Sequence, residues 1–149
     1  YNEHKALYDK GIDILILDHH EVDKISPYAC TINNQLDNYP NKALSGVAIV
    51  YKFCNAIDEI INTNYSNKYL DLVALGLIGD MMDSRPYETR YFINQGLKNP
   101  QNPYIKGMME KNKFKLKETL TPMGVAFYIA PLINAVTRVG ETDERQVVF

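Results

Sequence analysis

The chain has 149 residues, of which 46% are hydrophobic and 23% charged, and its formal net charge at pH 7 is −2. This length corresponds to one domain, and the hydrophobic fraction is large enough to bury a core, which excludes an intrinsically disordered protein. The slightly acidic balance excludes binding of nucleic acid through a global basic excess, although a local basic patch or bound metal ions stay compatible with it.

The cysteines and the apolar segments bear on the compartment of the protein. Cys30 and Cys54 lie 24 positions apart and form no CxxC or Cys/His motif, so free, buried thiols in a reducing cytosol are expected. The sequence has no recognisable signal peptide or apolar stretch of transmembrane length, which predicts that no membrane is involved. Because the first residue is Tyr1 rather than Met, we expect a fragment of a longer protein.

The N-terminal elements predict half of a βαβ unit. Residues 2–10 are polar and compatible with a helix, and Gly11 stands where a C-terminal capping glycine is expected. The apolar run 12–17 (IDILIL) predicts a buried strand, which ends abruptly in Asp18, His19 and His20. Helix, glycine, strand and polar site in this order are typical of the second half of a βαβ unit.

Asp18, His19 and His20 are candidate metal ligands. Open α/β sheets bind ligands at the carboxyl ends of their parallel strands. A carboxylate beside imidazoles suits Mn²⁺, Zn²⁺ or iron better than Ca²⁺, which takes oxygen ligands. Adjacent histidines point in different directions, so we expect at most one to bind a metal directly while the other contacts substrate or orients the site. The alternative is a polar turn after a strand, and the spacing alone leaves both interpretations open.

The central segments predict a loop followed by two regular elements. Residues 21–43 contain two prolines and several asparagines and predict a loop with a short edge strand at 28–33. Ser45 is a candidate N-cap for a helix over 46–61. Residues 69–79 (YLDLVALGLIG) are nearly all apolar, and their periodicity leaves a helix and a buried strand both open. The apolar positions that recur at helical spacing in the 46–61 helix are Val47, Val50, Tyr51, Cys54, Ile57 and Ile61.

The C-terminal half contains the remaining candidate site residues. A short helix is expected over 89–97, residues 98–118 are expected at the surface, and residues 121–136 are apolar. Asp80 follows the apolar 69–79 segment and is either a second metal ligand or a solvated carboxylate at a helix end. Asn134 and Arg138 lie four positions apart. A guanidinium suits forked contact with phosphate, and an ordinary surface arginine is the alternative.

These residues together resemble the DHH phosphoesterase superfamily, and within it the RecJ-type exonucleases that are specific for single-stranded DNA. The last matching block is more typical of RecJ-type members than of relatives with small substrates. It departs from the family at Leu132, where the family has Arg, and at Thr137, where it has Gly. In order along the chain, the blocks are 18–20 (DHH), 44–53 (LSGVAIVYKF), 70–80 (LDLVALGLIGD), 88–97 (ETRYFINQGL) and 131–140 (PLINAVTRVG).

The resemblance implies an α/β fold with a largely parallel sheet flanked by helices, and it favours a helix over 70–79. It implies hydrolysis of phosphodiesters by metal-activated water, as a 5′-to-3′ exonuclease on single-stranded DNA that acts in DNA repair or recombination. The implied cofactors are two Mn²⁺ ions, with Mg²⁺ as the alternative. The implied roles are metal ligation by His19 and Asp80, orientation or neutralisation of the site by Asp18, contact with the scissile phosphate by His20, and binding of the substrate backbone by Asn134 and Arg138.

The resemblance also implies that the site is incomplete. The family's upstream Asp motifs and its C-terminal substrate-binding domain are missing from the sequence. Residues 1–149 are therefore expected to be the C-terminal part of a DHH catalytic domain, with 98–149 a helical extension toward a second domain, and to be inactive or nearly so alone. The implied partners are single-stranded DNA and replication or repair proteins, in the cytoplasm. Alternatives are a DHH phosphoesterase of oligoribonucleotides, cyclic dinucleotides or pyrophosphate, and a catalytically incomplete scaffold domain.

Overall fold

The computed structural model describes residues 1–36, 38–116 and 119–148, and the side chains of these residues except 144, 147 and 148. Within these ranges the chain is rich in helices and contains a small parallel sheet, which confirms the predicted α/β class. In chain order, the elements are α1 (Asn2–Tyr8), β1 (Leu15–Asp18), β2 (Cys30–Asn33), α2 (Gly46–Ile61), a 3-10 helix (Ser66–Tyr69), α3 (Leu70–Gly79), α4 (Tyr87–Lys98), α5 (Pro103–Lys111), α6 (Lys113–Leu116), α7 (Pro122–Tyr128), α8 (Ala130–Val139) and α9 (Thr142–Val148).

The two strands place the polar end of β1 beside the end of β2. They pair in parallel, with Leu15 opposite Cys30 and Asp18 opposite Asn33. Parallel strands bring their carboxyl ends to the same edge of a sheet, so the residues that follow Asp18 and Asn33 share one surface. Before β1, Gly11 adopts the left-handed backbone conformation at φ 72°, as expected for a glycine that follows the C-terminus of a helix.

Helix α3 is the centre of the core. Its residues Val73, Ala74 and Leu77 are at most 1% exposed, and α2, α4, α7 and α8 pack around it. Residues 69–79 are therefore a helix that is apolar on nearly all sides because it is covered on nearly all sides. This settles the choice between a helix and a buried strand that periodicity left open.

Two glycines allow the neighbouring helices to approach closely. A Cβ atom at Gly76 of α3 would collide with the Val47 side chain at the start of α2. A Cβ atom at Gly96 of α4 would collide with the carbonyl oxygen of Leu70 and stand 2.7 Å from the Ala74 Cβ atom. The absence of a side chain at these positions therefore determines how α2 and α4 pack on α3.

The buried face of α2 differs from the predicted one. Val50 and Ile57 are 41% and 40% exposed, whereas Ala48 and Ile49 are buried. The helical period was correct, and the predicted residues Val47 and Tyr51 do pack against the core, but the fully buried positions are Ala48 and Ile49. Cys54 lies on the exposed side, and Cys30 is exposed as well, so the expectation of buried thiols is wrong while that of free thiols is confirmed.

The segment 98–118 contains more ordered structure than expected. Asn102 caps α5 by accepting hydrogen bonds from the backbone N–H groups of Tyr104 and Ile105, and Pro103 occupies the first turn. Ile105, Met108 and Leu116 are buried in the core. The surface expectation is therefore wrong for these apolar residues, and positions 117 and 118 lie outside the described residues.

The apolar segment near the C-terminus is longer than the sequence analysis assumed. By length and composition alone, Pro122–Val139 would be able to cross a membrane, contrary to the expectation that no segment reaches that length. In the structure it consists of α7 and α8, which meet at Ile129. Pro131 lacks the N–H needed to continue the helical hydrogen bonds, and Ile129 is fully buried in the domain core.

Candidate metal centre

Asp18, His19 and His20 form a compact cluster at the carboxyl end of β1. Each offers one ligand atom, and these atoms all lie within 4.8 Å of one another. The His20 Nδ1 atom lies 2.7 Å from the Asp18 Oδ1 atom, and the two imidazole rings are 4.4 Å apart between centroids. The three candidate side chains therefore lie close enough to share one ion, and which of them binds a metal directly stays a prediction.

The electrostatics of the cluster favour a charged carboxylate. Burial alone would raise the pKa of Asp18, but hydrogen bonds from the His20 ring and from the backbone N–H groups of His19 and His20 outweigh burial and lower this pKa below its ordinary value. An ionised carboxylate beside two imidazoles is a mixed oxygen and nitrogen donor set, which suits Mn²⁺, Zn²⁺ and iron. The residues present therefore fit a transition metal ion.

Two side-chain amides hold the main chain of the cluster. The Asn33 Nδ2 atom donates to the His20 carbonyl oxygen at 2.9 Å, and the Gln35 Nε2 atom donates to the His19 carbonyl oxygen at 3.2 Å. Asn33 is itself oriented, since its Oδ1 atom accepts a hydrogen bond of 2.7 Å from the Gln35 backbone N–H. Sequence reasoning missed both residues. The parallel pairing of the predicted 28–33 strand would have indicated Asn33, whereas the position of Gln35 depends on the loop path.

The first turn of α2 lies against the cluster. A Cβ atom at Gly46 would stand 3.6 Å from the His19 Cδ2 atom. Ser45 occupies the N-cap position as predicted, but within the described part of the chain its buried hydroxyl makes no capping hydrogen bond. The start of α2 thus separates His19 on one side from Gly76 of α3 on the other.

Asp80 and Asn134 meet in a cavity of about 320 Å³. Asp80 is the C-cap residue of α3 and is exposed, and its backbone N–H donates to the Gly76 carbonyl oxygen at 2.9 Å. Asn134 comes from α8, and Asn102 adds a third polar side chain to a lining that is otherwise mostly apolar. Among the residues that the structure describes, the ligand cluster around His19 does not include Asp80, so its predicted role as a metal ligand stays a prediction.

Asn134 and Arg138 lie one turn apart on α8, and both line a second, open groove of about 740 Å³. Asn134 therefore belongs to both cavities. The exposed apolar residues Met81 and Phe127 complete this part of the surface. The predicted pairing of the carboxamide and the guanidinium on one face agrees with this arrangement.

The comparison with known proteins identifies the family. Residues 1–77 match the family model described as the DHH family, N-terminal domain. The chain belongs to the DHH family. This DHH chain is 46% identical over 146 residues to the putative SPbeta prophage-derived single-strand DNA-specific exonuclease YorK of Bacillus subtilis (strain 168), with 97% of the chain and 25% of the relative covered.

Two further similarities confirm the resemblance to the RecJ type. The DHH chain is 28% identical over 155 residues to the single-stranded-DNA-specific exonuclease RecJ of Bacillus subtilis (strain 168), with 95% of the chain and 18% of the relative covered. It also matches the fold of RecJ in complex with Mn²⁺ from Thermus thermophilus with a TM-score of 0.82 and 24% identity, over 100% of the chain and 23% of the solved chain. The chain thus spans a quarter or less of the length of these relatives.

Proposed function

We propose that the DHH chain is part of a metal-dependent exonuclease that hydrolyses single-stranded DNA from 5′ to 3′. The observation that carries this proposal is the cluster of Asp18, His19 and His20, whose ligand atoms lie within 4.8 Å of one another at a strand end. The names of the similar proteins support single-stranded DNA as the substrate and manganese as the metal. A role in DNA repair or recombination, in the cytoplasm and with replication or repair proteins as partners, belongs to the same proposal.

We assign metal ligation to His19 and Asp80, in a centre of two Mn²⁺ ions for which Mg²⁺ is the alternative. Such ions lower the pKa of bound water and stabilise charge on the phosphate. His20, whose Nδ1 atom is engaged by Asp18, presents its Nε2 atom to the scissile phosphate. Asp18 orients that ring through the 2.7 Å hydrogen bond and adds negative charge beside the histidines.

Asn134 and Arg138 are assigned to the backbone of the substrate. A guanidinium can donate two parallel hydrogen bonds to one phosphate, and a carboxamide can both donate and accept. Their positions one turn apart, in a groove next to the Asp80 cavity, support a path for a strand across α8. Leu132 and Thr137, where the family has Arg and Gly, lie on the same helix and do not remove either functional group.

We further propose that residues 1–149 are the C-terminal part of a catalytic domain, with 98–149 extending toward a second domain. The small share of each relative that the chain covers supports this. Several carboxylates are needed to balance two metal ions, and the described cluster supplies one, Asp18. The site is therefore completed by residues of a longer parent protein, and the 149-residue chain alone is expected to be inactive or nearly so.

The test is a nuclease assay with Mn²⁺ on the parent protein, using long single-stranded DNA labelled at either end and, separately, dinucleotides. Asp80→Ala is expected to lower turnover more than about 100-fold, because loss of even the partners of metal ligands costs about 10–100-fold. Asp9→Ala, which removes an exposed carboxylate paired with Lys5, is the control and is expected to act like the wild type.

Three outcomes would contradict the proposal. Wild-type turnover by the Asp80→Ala variant would favour a scaffold role or a different site. Preference for dinucleotides over long DNA would favour a phosphoesterase of small substrates. Robust turnover by the 149-residue chain alone would show that the site does not need further residues.

A further inference from the structure

Glu88 joins three separate parts of the chain. It lies in the first turn of α4, and its two carboxylate oxygens accept hydrogen bonds from the Tyr39 hydroxyl at 2.8 and 3.0 Å, from the Asn41 Nδ2 atom at 3.0 Å and from the Lys52 Nζ atom at 2.6 Å. Tyr39 and Asn41 belong to the loop before α2, and Lys52 belongs to α2 itself. One carboxylate thus fixes the loop, α2 and α4 relative to one another.

The loop is closed around Asn41. This residue is 6% exposed, and its Nδ2 atom also donates to the Thr89 hydroxyl, which in turn donates to the Ala43 carbonyl oxygen at 2.7 Å. The Asn41 Oδ1 atom accepts from the Ala43 backbone N–H, and the Asn41 carbonyl oxygen accepts from the Asn34 side chain. Residues 34 and 41–43 are therefore held together by contacts that depend on the placement of Asn41.

Gln35 connects this loop to the metal centre. Its Nε2 atom donates to the Lys42 carbonyl oxygen at 2.9 Å and to the His19 carbonyl oxygen at 3.2 Å. Because Lys42 directly follows Asn41, a continuous series of contacts runs from Glu88 through Asn41 and Gln35 to the main chain of His19. The buried members of the series have few other ways to satisfy their polar groups, which makes the arrangement stiff.

We propose that Glu88 is a positioning residue of the metal centre, which sets the orientation of His19 and His20 through the loop that carries Gln35. Groups behind metal ligands commonly fix the ligand geometry, and their loss weakens metal binding. The inference rests on the proposed function for the identity of the centre.

The charge of Glu88 is essential to this role. All four hydrogen bonds point toward the carboxylate, so both oxygens act only as acceptors. Gln would place an NH₂ group, which only donates, against the Lys52 ammonium or the Asn41 amide. Glu88→Gln therefore breaks the network with almost no change in volume.

The test compares two variants by NMR at one fixed pH in the absence of metal. Glu88→Gln is expected to move the imidazole ¹⁵N resonances of both His19 and His20 and the side-chain amide resonance of Gln35. Glu110→Gln makes the same charge change at an exposed residue paired with Lys113, and it is expected to leave these resonances in place. Unchanged histidine resonances in Glu88→Gln would overturn the inference.

A second readout separates positioning from mere stability. Glu88→Gln and Gln35→Met are each expected to weaken Mn²⁺ binding by on the order of 10-fold, and the double variant is expected to lose no more than either single one. Additive losses, or a lower thermal midpoint with unchanged Mn²⁺ affinity, would overturn the inference. If Glu88→Gln does not fold, Tyr39→Phe removes one donor without a change of charge. It is expected to shift the same resonances to a smaller extent, and no shift would again overturn the inference.

The two proposals fail in different ways. If the wild-type parent protein takes up no Mn²⁺, the assignment of the metal centre is wrong, while the metal-free histidine resonances still decide whether Glu88 positions them. If Mn²⁺ binds and the histidine resonances do not change in Glu88→Gln, the proposed role of Glu88 is wrong and the assignment of the metal centre is unaffected.

Discussion

The carboxylates of this chain differ in the groups that donate hydrogen bonds to them and in what they face. Asp58 is 6% exposed and accepts hydrogen bonds from the Thr63 hydroxyl at 2.5 Å and the Ser66 backbone N–H at 2.7 Å. Asp71 is 4% exposed and accepts from two backbone N–H groups before α5. These two carboxylates hold chain segments together, whereas Asp18 faces a histidine at a strand end and Asp80 opens into a cavity.

The role of Asp58 predicts a pH dependence. Hydrogen bonds from Thr63 and Ser66 hold the pKa of Asp58 well below its ordinary value. Because the folded pKa lies below the unfolded one, about 3.9, the stabilisation is complete above that value and is lost as the pH falls through the folded pKa. Asp58→Asn is therefore expected to be less stable than the wild type in urea unfolding at about pH 7, with a smaller difference at about pH 3. An equal difference at both pH values would contradict this origin of the stability.

At the scale of helices and strands, local sequence signals predict where an element begins and ends better than which of its faces is buried. The α2 bounds and the position of Ser45 were predicted because helical period and cap residues are local properties. The centre of the buried face of α2 was not, because it depends on which neighbouring elements pack on the helix. For the apolar segment 69–79, periodicity did not distinguish a helix from a buried strand, because an element covered on all sides is apolar on all sides.

Two Gly→Ala substitutions within helices are expected to change the free energy of unfolding in opposite directions. Gly96→Ala would force a methyl group into the Leu70 carbonyl oxygen, and overpacking of this kind costs about 1–3 kcal/mol. At Gly107 of α5, among the described residues, a Cβ atom meets nothing within 4 Å. Gly107→Ala is therefore expected to stabilise the chain by about 0.5–1 kcal/mol through its helix propensity. Chemical denaturation checks both, and stabilisation by Gly96→Ala would contradict the close approach of the two helices.

At the scale of the whole molecule, the site is assembled from parts that are distant in sequence. The three candidate site residues 18–20 were predictable because they stand together at the end of an apolar strand. Gln35 and Glu88 were not, because amide and carboxylate contacts with a loop depend on the path of that loop. The structure brings Asp80 together with Asn134, and Asn134 together with Arg138, in adjoining cavities.

The most direct test of the metal centre is the paramagnetic effect of Mn²⁺ on the ¹H–¹⁵N spectrum of the parent protein. Substoichiometric Mn²⁺ is expected to broaden the resonances of residues 18–20, 33–35 and 46 first, and His19→Ala is expected to remove this selectivity. Broadening around Asp80 in the same titration would place that carboxylate at the centre as proposed. Broadening confined to other acidic surfaces, or the same pattern in His19→Ala, would contradict a metal centre at the end of β1.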